Sequence, residues 1–161
     1  MQQHINHVDH VVFIYRLENF ETAKEQFSKA LGINDWDGPA ELPYFGVLHT
    51  QSLSTGMEIL APLQEGTPFD DYLRERGEGF FALVYGVANV RKAAEEAQAR
   101  GIQFHLDESG KPWVIDVLHI DNGKPTYRHW ADRLKAYLEI PLKPVCGINF
   151  YLGQIEPLPG K

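Results

Sequence analysis

The residues best suited to chemistry are histidines and one carboxylate in an apolar setting. His4, His7 and His10 recur every three residues in MQQHINHVDH, His49 ends GVLH, and Glu58 interrupts the apolar run MEILAPL. An imidazole titrates near neutral pH, so it can move a proton or ligate a metal. A carboxylate among apolar neighbours needs a partner or a metal if it is buried. Spacing by three would make a ligand stripe on a helix, but the following HVVFIY (10–15) reads as a strand. His4 and His7 are therefore expected in a solvated tail, whereas His10 opens the strand as an inward group, in a pocket or as a satisfied core histidine. His49 reads as a proton-transferring base or as a rim histidine at a strand end. Glu58 reads as a buried, partnered carboxylate or as an outward one on a half-exposed strand.

Other chemistries are disfavoured by composition. Cys146 is the only cysteine, which leaves no intramolecular disulfide and no CxxC knuckle, and beside Gly147 it is expected to be a small buried filler. The net charge is −7 without a cationic run, which argues against nucleic-acid and anionic-membrane partners but not against a small anionic substrate. The glycines of RGEG (76–79) lack the spacing and lysine of a phosphate-binding loop. No basic region followed by an apolar run opens the chain and no membrane span appears, so a reducing cytoplasm is the expected location.

With 161 residues, 43% apolar and 12% aromatic, the chain has the material for one core. After HVVFIY, Asn19 is a plausible cap. Phe20, Ala23, Phe27, Ala30 and Leu31 fall on one helical face, and Gly32 stands as the terminator. Residues 35–43 read as a loop, and FGVLHT (45–50) and GMEILAPL (56–63) as strands. The order then repeats: FFALVYGV (80–87) as a strand, Asn89 as a cap, Val90, Ala93, Ala94 and Ala97 as a stripe, and Gly101 as the end. IQFHL (102–106) starts the returning strands, and KAYLEIPL (135–142) and CGINFYLGQI (146–155) close them. Tyr15 and Asn19 recur as Tyr85 and Asn89 at an offset of 70 residues, which suggests internal duplication. The expected fold is α+β: paired βαβββ modules, about 7–63 and about 78–156, forming one curved, partly open sheet around a central pocket in a single domain over 1–161. Residues 112–133, with the Asn122-Gly123 pair, read as a hairpin inserted in the second module, its second arm made an edge by Pro125.

Duplicated modules with an inward histidine near the start resemble the vicinal oxygen chelate (glyoxalase/bleomycin-resistance/dioxygenase) superfamily, most closely its methylmalonyl-CoA epimerase branch. DHVVFIY (9–15), MEILAPL (57–63), FDDYLRERGEGFF (69–81) and GINFYLGQ (147–154) carry the resemblance. The resemblance implies a divalent metal held by four side chains, two from each module. His10 stands where the family has a ligand histidine, and Glu58 where it has a ligand Gln or Glu. The second-module positions are occupied by Ala82 and Tyr151 instead. Strand alternation makes this robust, because the face equivalent to His10 carries Phe80, Ala82 and Val84, and a one-residue slip gives Phe81, Leu83 and Tyr85.

Catalytic divalent sites typically use three protein ligands. Any metal here, of unknown identity, thus has an incomplete site by the family pattern, unless it is rebuilt from His49, His105, His119, His129 or Glu139. GVLH also resembles the family's second strand, where a carboxylate acts as a base, so His49 could take that work. The sequence supports an enzyme acting on a small oxygenated substrate by proton abstraction next to a carbonyl, an isomerase, epimerase or lyase. Its expected catalytic groups are His49, Glu58 and Tyr151, and its expected substrate contacts Phe80, Ala82, Tyr127 and His129. Trp130 could line a pocket or fill the core. The alternative is a metal-free protein of the same fold that only sequesters a small molecule. A homodimer is the expected assembly.

Overall fold

The chain is described from a computed structural model, whose described residues are 2–119 and 128–160. Its contacts divide it into two units, one running from His10 to Phe81 and the other combining residues up to Asp9 with those from Ala82 onward.

The His10–Phe81 unit contains most of β1 (His7–Ile14), a 3-10 turn (Leu17–Asn19), α1 (Phe20–Leu31), β2 (Asp37–Leu42), β3 (Val47–Ser52), β4 (Met57–Pro62) and α2 (Pro68–Arg76). It also holds the start of β5 (Gly79–Gly86). Its strands lie in the order β2-β3-β4-β1, with β1 parallel to β4 and the other neighbours antiparallel. One face of β4 packs on α1, where Phe20 and Ala23 meet Ile59 and Ala61 in a buried cluster joined by Tyr15, Phe27, Trp36 and Leu48. Alternation therefore turns Glu58 and Leu60 to the face away from α1.

Three expectations about this unit change. The Asp-Gly-Pro-rich stretch is not a loop but β2, an edge strand with a register shift between Asp37 and Ala40, where an edge position tolerates Pro39. A side chain at Gly38, whose φ is +97°, would press on the carbonyl oxygen of His49 at 2.9 Å, so only glycine lets the two strands approach. Ala30 and Leu31 leave the apolar face of α1 and are exposed, whereas Ile33 beyond Gly32 is buried. Asn19 makes no cap through its side chain; its Nδ2 instead donates to Glu78 Oε1 at 2.9 Å, which also accepts from the Arg16 amide at 2.8 Å.

Helix α2 has a legible start. Thr67 accepts from the Asp70 amide at 3.2 Å, Pro68 fills the first turn, Asp70 and Asp71 face the helix N-terminus, and Arg74 and Arg76 sit in the last turn.

The second unit repeats the pattern with β5, α3 (Val90–Ala99), β6 (Ile115–Asp116), α4 (Arg128–Ala131), β7 (Leu134–Pro141) and β8 (Asn149–Pro157). Its strands run in the order β5-β8-β7-β6, and β5 is parallel to β8. The first strand of each unit thus lies beside the last, and each unit is a βαβββ module in an α+β fold. Val90, Ala94 and Ala97 of α3 are buried against Phe104 and Ile140, and the Asn89 side chain caps the helix by accepting from the Lys92 amide at 3.0 Å.

The expected strand IQFHL forms only isolated bridges, Phe104 to Leu142 and Leu106 to Pro112. The proposed hairpin at 112–133 is only partly within the described residues: the Asn122-Gly123 turn lies outside them, β6 pairs with β7, and residues 128–131 of the expected second arm are helical. Cys146 is exposed rather than buried. With Gly147 it forms a two-residue turn at φ +52° and +77° between Val145 and Ile148, a conformation that points both residues to solvent. Trp130 belongs to the core, 1% exposed, with its ring 5.1 Å from Tyr137. Among the described residues, no helix is long and apolar enough to cross a membrane.

Candidate functional site

Strand register builds the site. Glu58 on β4 lies directly opposite Val12 on β1 and Gln51 on β3. His49 is paired with Leu60, one alternation along, and His10 stands two residues before Val12. All of these side chains share the face turned away from α1, so Glu58 has His10 on one diagonal and His49 on the other. Oε2 of Glu58 is 3.2 Å from Nε2 of His10, and Oε1 is 3.4 Å from Nδ1 of His49. His10 is 1% exposed, His49 and Gln51 are 0% and Glu58 is 8%. Of the paired readings made from sequence, the outward Glu58 and the rim His49 are thereby set aside.

Electrostatics follow from this geometry. Burial pushes the Glu58 carboxyl up, but hydrogen bonds from His10 and His49, together with their charge, outweigh it and hold the group at about 2. Glu58 is thus an ionised acceptor throughout the neutral range. Each of its oxygens faces one imidazole nitrogen, leaving Nδ1 of His10 and Nε2 of His49 as the second ring nitrogens.

The other expected site residues are placed differently. The ring of Phe80 is 41% exposed and meets Phe13 edge-on at 6.4 Å; Phe13 in turn packs on Phe27 of α1, so Phe80 is not gathered with His10. Ala82 is buried at 0% exposure in β5, and half-buried Tyr151 on β8 is paired with Val84. His105 is exposed beside Lys143, and burial followed by the Lys143 charge lowers its pKa. His119 is exposed and 3.1 Å from the Asp116 carboxylate, while Glu139 is half-buried opposite Ile115 and Gly153. Tyr127 and the His129 side chain lie outside what is described. Gln51 was missed by sequence reading, although its two-residue offset from His49 in VLHTQS was the available signal.

The residues present do not fit the metal that the resemblance implies. Ala82 supplies no donor, both Glu58 oxygens are turned to imidazoles, and among the described residues no group of three or more His, Cys, Asp or Glu is arranged to hold a metal ion.

No family model matches the chain, and no curated protein matches it. Solved structures do. A hypothetical protein from Bacillus halodurans C-125 superposes with a TM-score of 0.69 at 19% identity, covering 96% of this chain and 97% of that one. A methylmalonyl-CoA epimerase in complex with methylmalonyl-CoA and NH4+ gives a TM-score of 0.66 at 16% identity over 93% of this chain and 94% of that one. The epimerase from Mycobacterium tuberculosis gives 0.62 at 15% identity over 99% and 93%. Read first from four short motifs, the likeness is one of fold: the chain has a βαβββ-module fold similar to that of these methylmalonyl-CoA epimerase structures.

Proposed function

We propose that the protein is an epimerase-like enzyme that removes and returns a proton at the carbon next to a carbonyl of a small acyl compound. The observation that carries this reading is a buried, ionised Glu58 between two buried imidazoles.

Proton abstraction near neutral pH suits an imidazole, and a base is most effective when a third group fixes its tautomer. With the His49 Nδ1 proton directed at Glu58 Oε1, Nε2 is the nitrogen that acts as base. It takes the carbon-bound proton, the electron pair of the C–H bond moves into an enolate, and Glu58 stabilises the resulting imidazolium. His10, doubly protonated with its Nε2–H on the other oxygen of the same carboxylate, gives its Nδ1 proton to carbon as the enolate pair re-forms the C–H bond, so each turnover moves one proton from His10 to His49 and exchange with solvent resets the pair. One carboxylate thus serves two proton carriers and does not itself carry the proton, because a group at about 2 holds too little of it at neutral pH. Tyr151 stands outside this scheme. An acyl thioester such as methylmalonyl-CoA is the first substrate to try, because a relative of the same fold binds it.

The test is deuterium incorporation from solvent into methylmalonyl-CoA and a panel of other acyl thioesters and 2-keto acids. Exchange by the native chain, reduced by about 10²-fold or more in His49→Gln, is the expected result. An inert native chain across the panel overturns the reading. The sequestering alternative, favoured by the donorless side chain at Ala82, would instead show ligand retention without exchange.

A further inference from the structure

The turn between His105 and Trp113 in the second unit plays no part in the proton-transfer scheme, and it borders an open recess of about 540 Å³. Ligand sites run from about 300 to 1,000 Å³, so the space suits a small organic molecule. Leu106, Asp107, Glu108, Ser109 and Trp113 line it.

The sequence HLDESGKPW holds this turn in one shape. The Asp107 amide donates to the Lys111 carbonyl at 2.8 Å, and the Trp113 amide to the His105 carbonyl at 2.9 Å. Oδ1 of Asp107 accepts from the Ser109 amide at 2.8 Å, the Ser109 hydroxyl at 2.7 Å and the Lys111 amide at 3.1 Å. These bonds keep the Asp107 carboxyl ionised, below the usual carboxylate range.

The lining selects for charge. Glu108 is exposed, and among the described residues it makes no ion pair. Trp113 is half-buried, and among the described residues its indole has no ring or hydrogen-bond partner. Leu106 is 56% exposed and adds an apolar surface. Lys111 is exposed in the same turn but outside the lining, and Lys143 Nζ lies 3.4 Å from His105 Nδ1. An anion would meet two carboxylates, whereas a cation gains from both and from the negative face of the indole. A net charge of −7 draws cations towards the chain as a whole.

We propose that this recess binds a small organic ammonium ion, its charged nitrogen against the Trp113 indole and Glu108 and its apolar body on Leu106. The site shares no residue with the proton-transfer group and does not rest on that reading, so an inert chain in the deuterium assay leaves it standing.

Benzyltrimethylammonium is the probe, with benzyl alcohol as its neutral counterpart and phenylacetate as its anionic one. Each is titrated into the native chain and followed by the amide and indole N–H resonances. Saturable shifts confined to residues 105–113 are expected for the cation, with a Kd about tenfold or more below that of benzyl alcohol, and none for phenylacetate. Trp113→Leu and Glu108→Gln should each weaken cation binding by about threefold or more. Glu96→Gln, on the exposed face of α3, should change it by less than about 1.5-fold, which separates this recess from the acidity of the whole chain. If Trp113→Leu does not fold, Glu108→Gln decides, because its side chain is exposed. Absent saturation, shifts scattered over the acidic surface, benzyl alcohol binding within about twofold of the cation, or native affinity in a folded variant at Trp113 or Glu108 overturns the assignment.

Discussion

His10 Nε2 and Glu58 Oε2 lie 3.2 Å apart on neighbouring strands, with side chains 1% and 11% exposed. A carboxylate that far from water is costly unless compensated, and here the compensation comes from two imidazoles rather than one. This arrangement ties the stability of the unit to the protonation of its site.

Acid unfolding should report that link. The folded-state pKa of Glu58 is about 2, below an ordinary value of 4.5. The stabilisation it contributes is therefore fully present above pH 4.5 and is lost as the pH falls from there through about 2. At about 1.4 kcal/mol per pKa unit, the effect is on the order of a few kcal/mol. Urea midpoints measured from neutral pH into this range should fall more steeply in the native chain than in Glu58→Gln. Equal slopes would contradict the assigned ionisation.

Metal removal is expected to change little. The donor set fails at Ala82, so dialysis against a chelator should leave both the unfolding midpoint and any deuterium exchange unaltered. Divalent manganese, cobalt or zinc added in excess should not raise the midpoint, whereas a bound ion at 100 times its Kd would add about 2.7 kcal/mol. Stoichiometric metal that co-purifies and disappears in His10→Ala would show that a site has been rebuilt.

Gly86→Ala should loosen the segment before β1. A methyl at Gly86 would collide with the His4 carbonyl, and the Asn6 amide donates to the Gly86 carbonyl at 2.7 Å. Overpacking of this kind typically costs about 1–3 kcal/mol. Thermal unfolding should show the loss, and amide hydrogen exchange should speed up at Asn6. Unchanged exchange there would mean that the segment is held by other contacts.

Much of the fold was legible because periodicity is local. HVVFIY, MEILAPL and FFALVYGV each carry their strand character within a few residues, and Val90, Ala93, Ala94 and Ala97 carry the helical period of α3. β2 was not legible, since Asp37, Gly38 and Pro39 argue against a strand wherever no edge is available. Cys146 was misread because burial follows from the Val145–Ile148 turn and not from residue type.

By itself the sequence determined which groups exist for chemistry: a histidine at 10, another at 49, a carboxylate at 58, and no metal donor at 82. Alternation within each strand also settled which neighbours share a face. Only the tertiary structure decided that these groups meet, because the pairing of β1, β3 and β4 is a long-range register that no local pattern encodes. That register puts both histidines on the diagonals of Glu58, holds its carboxyl near 2, and brings Gln51 to the same face.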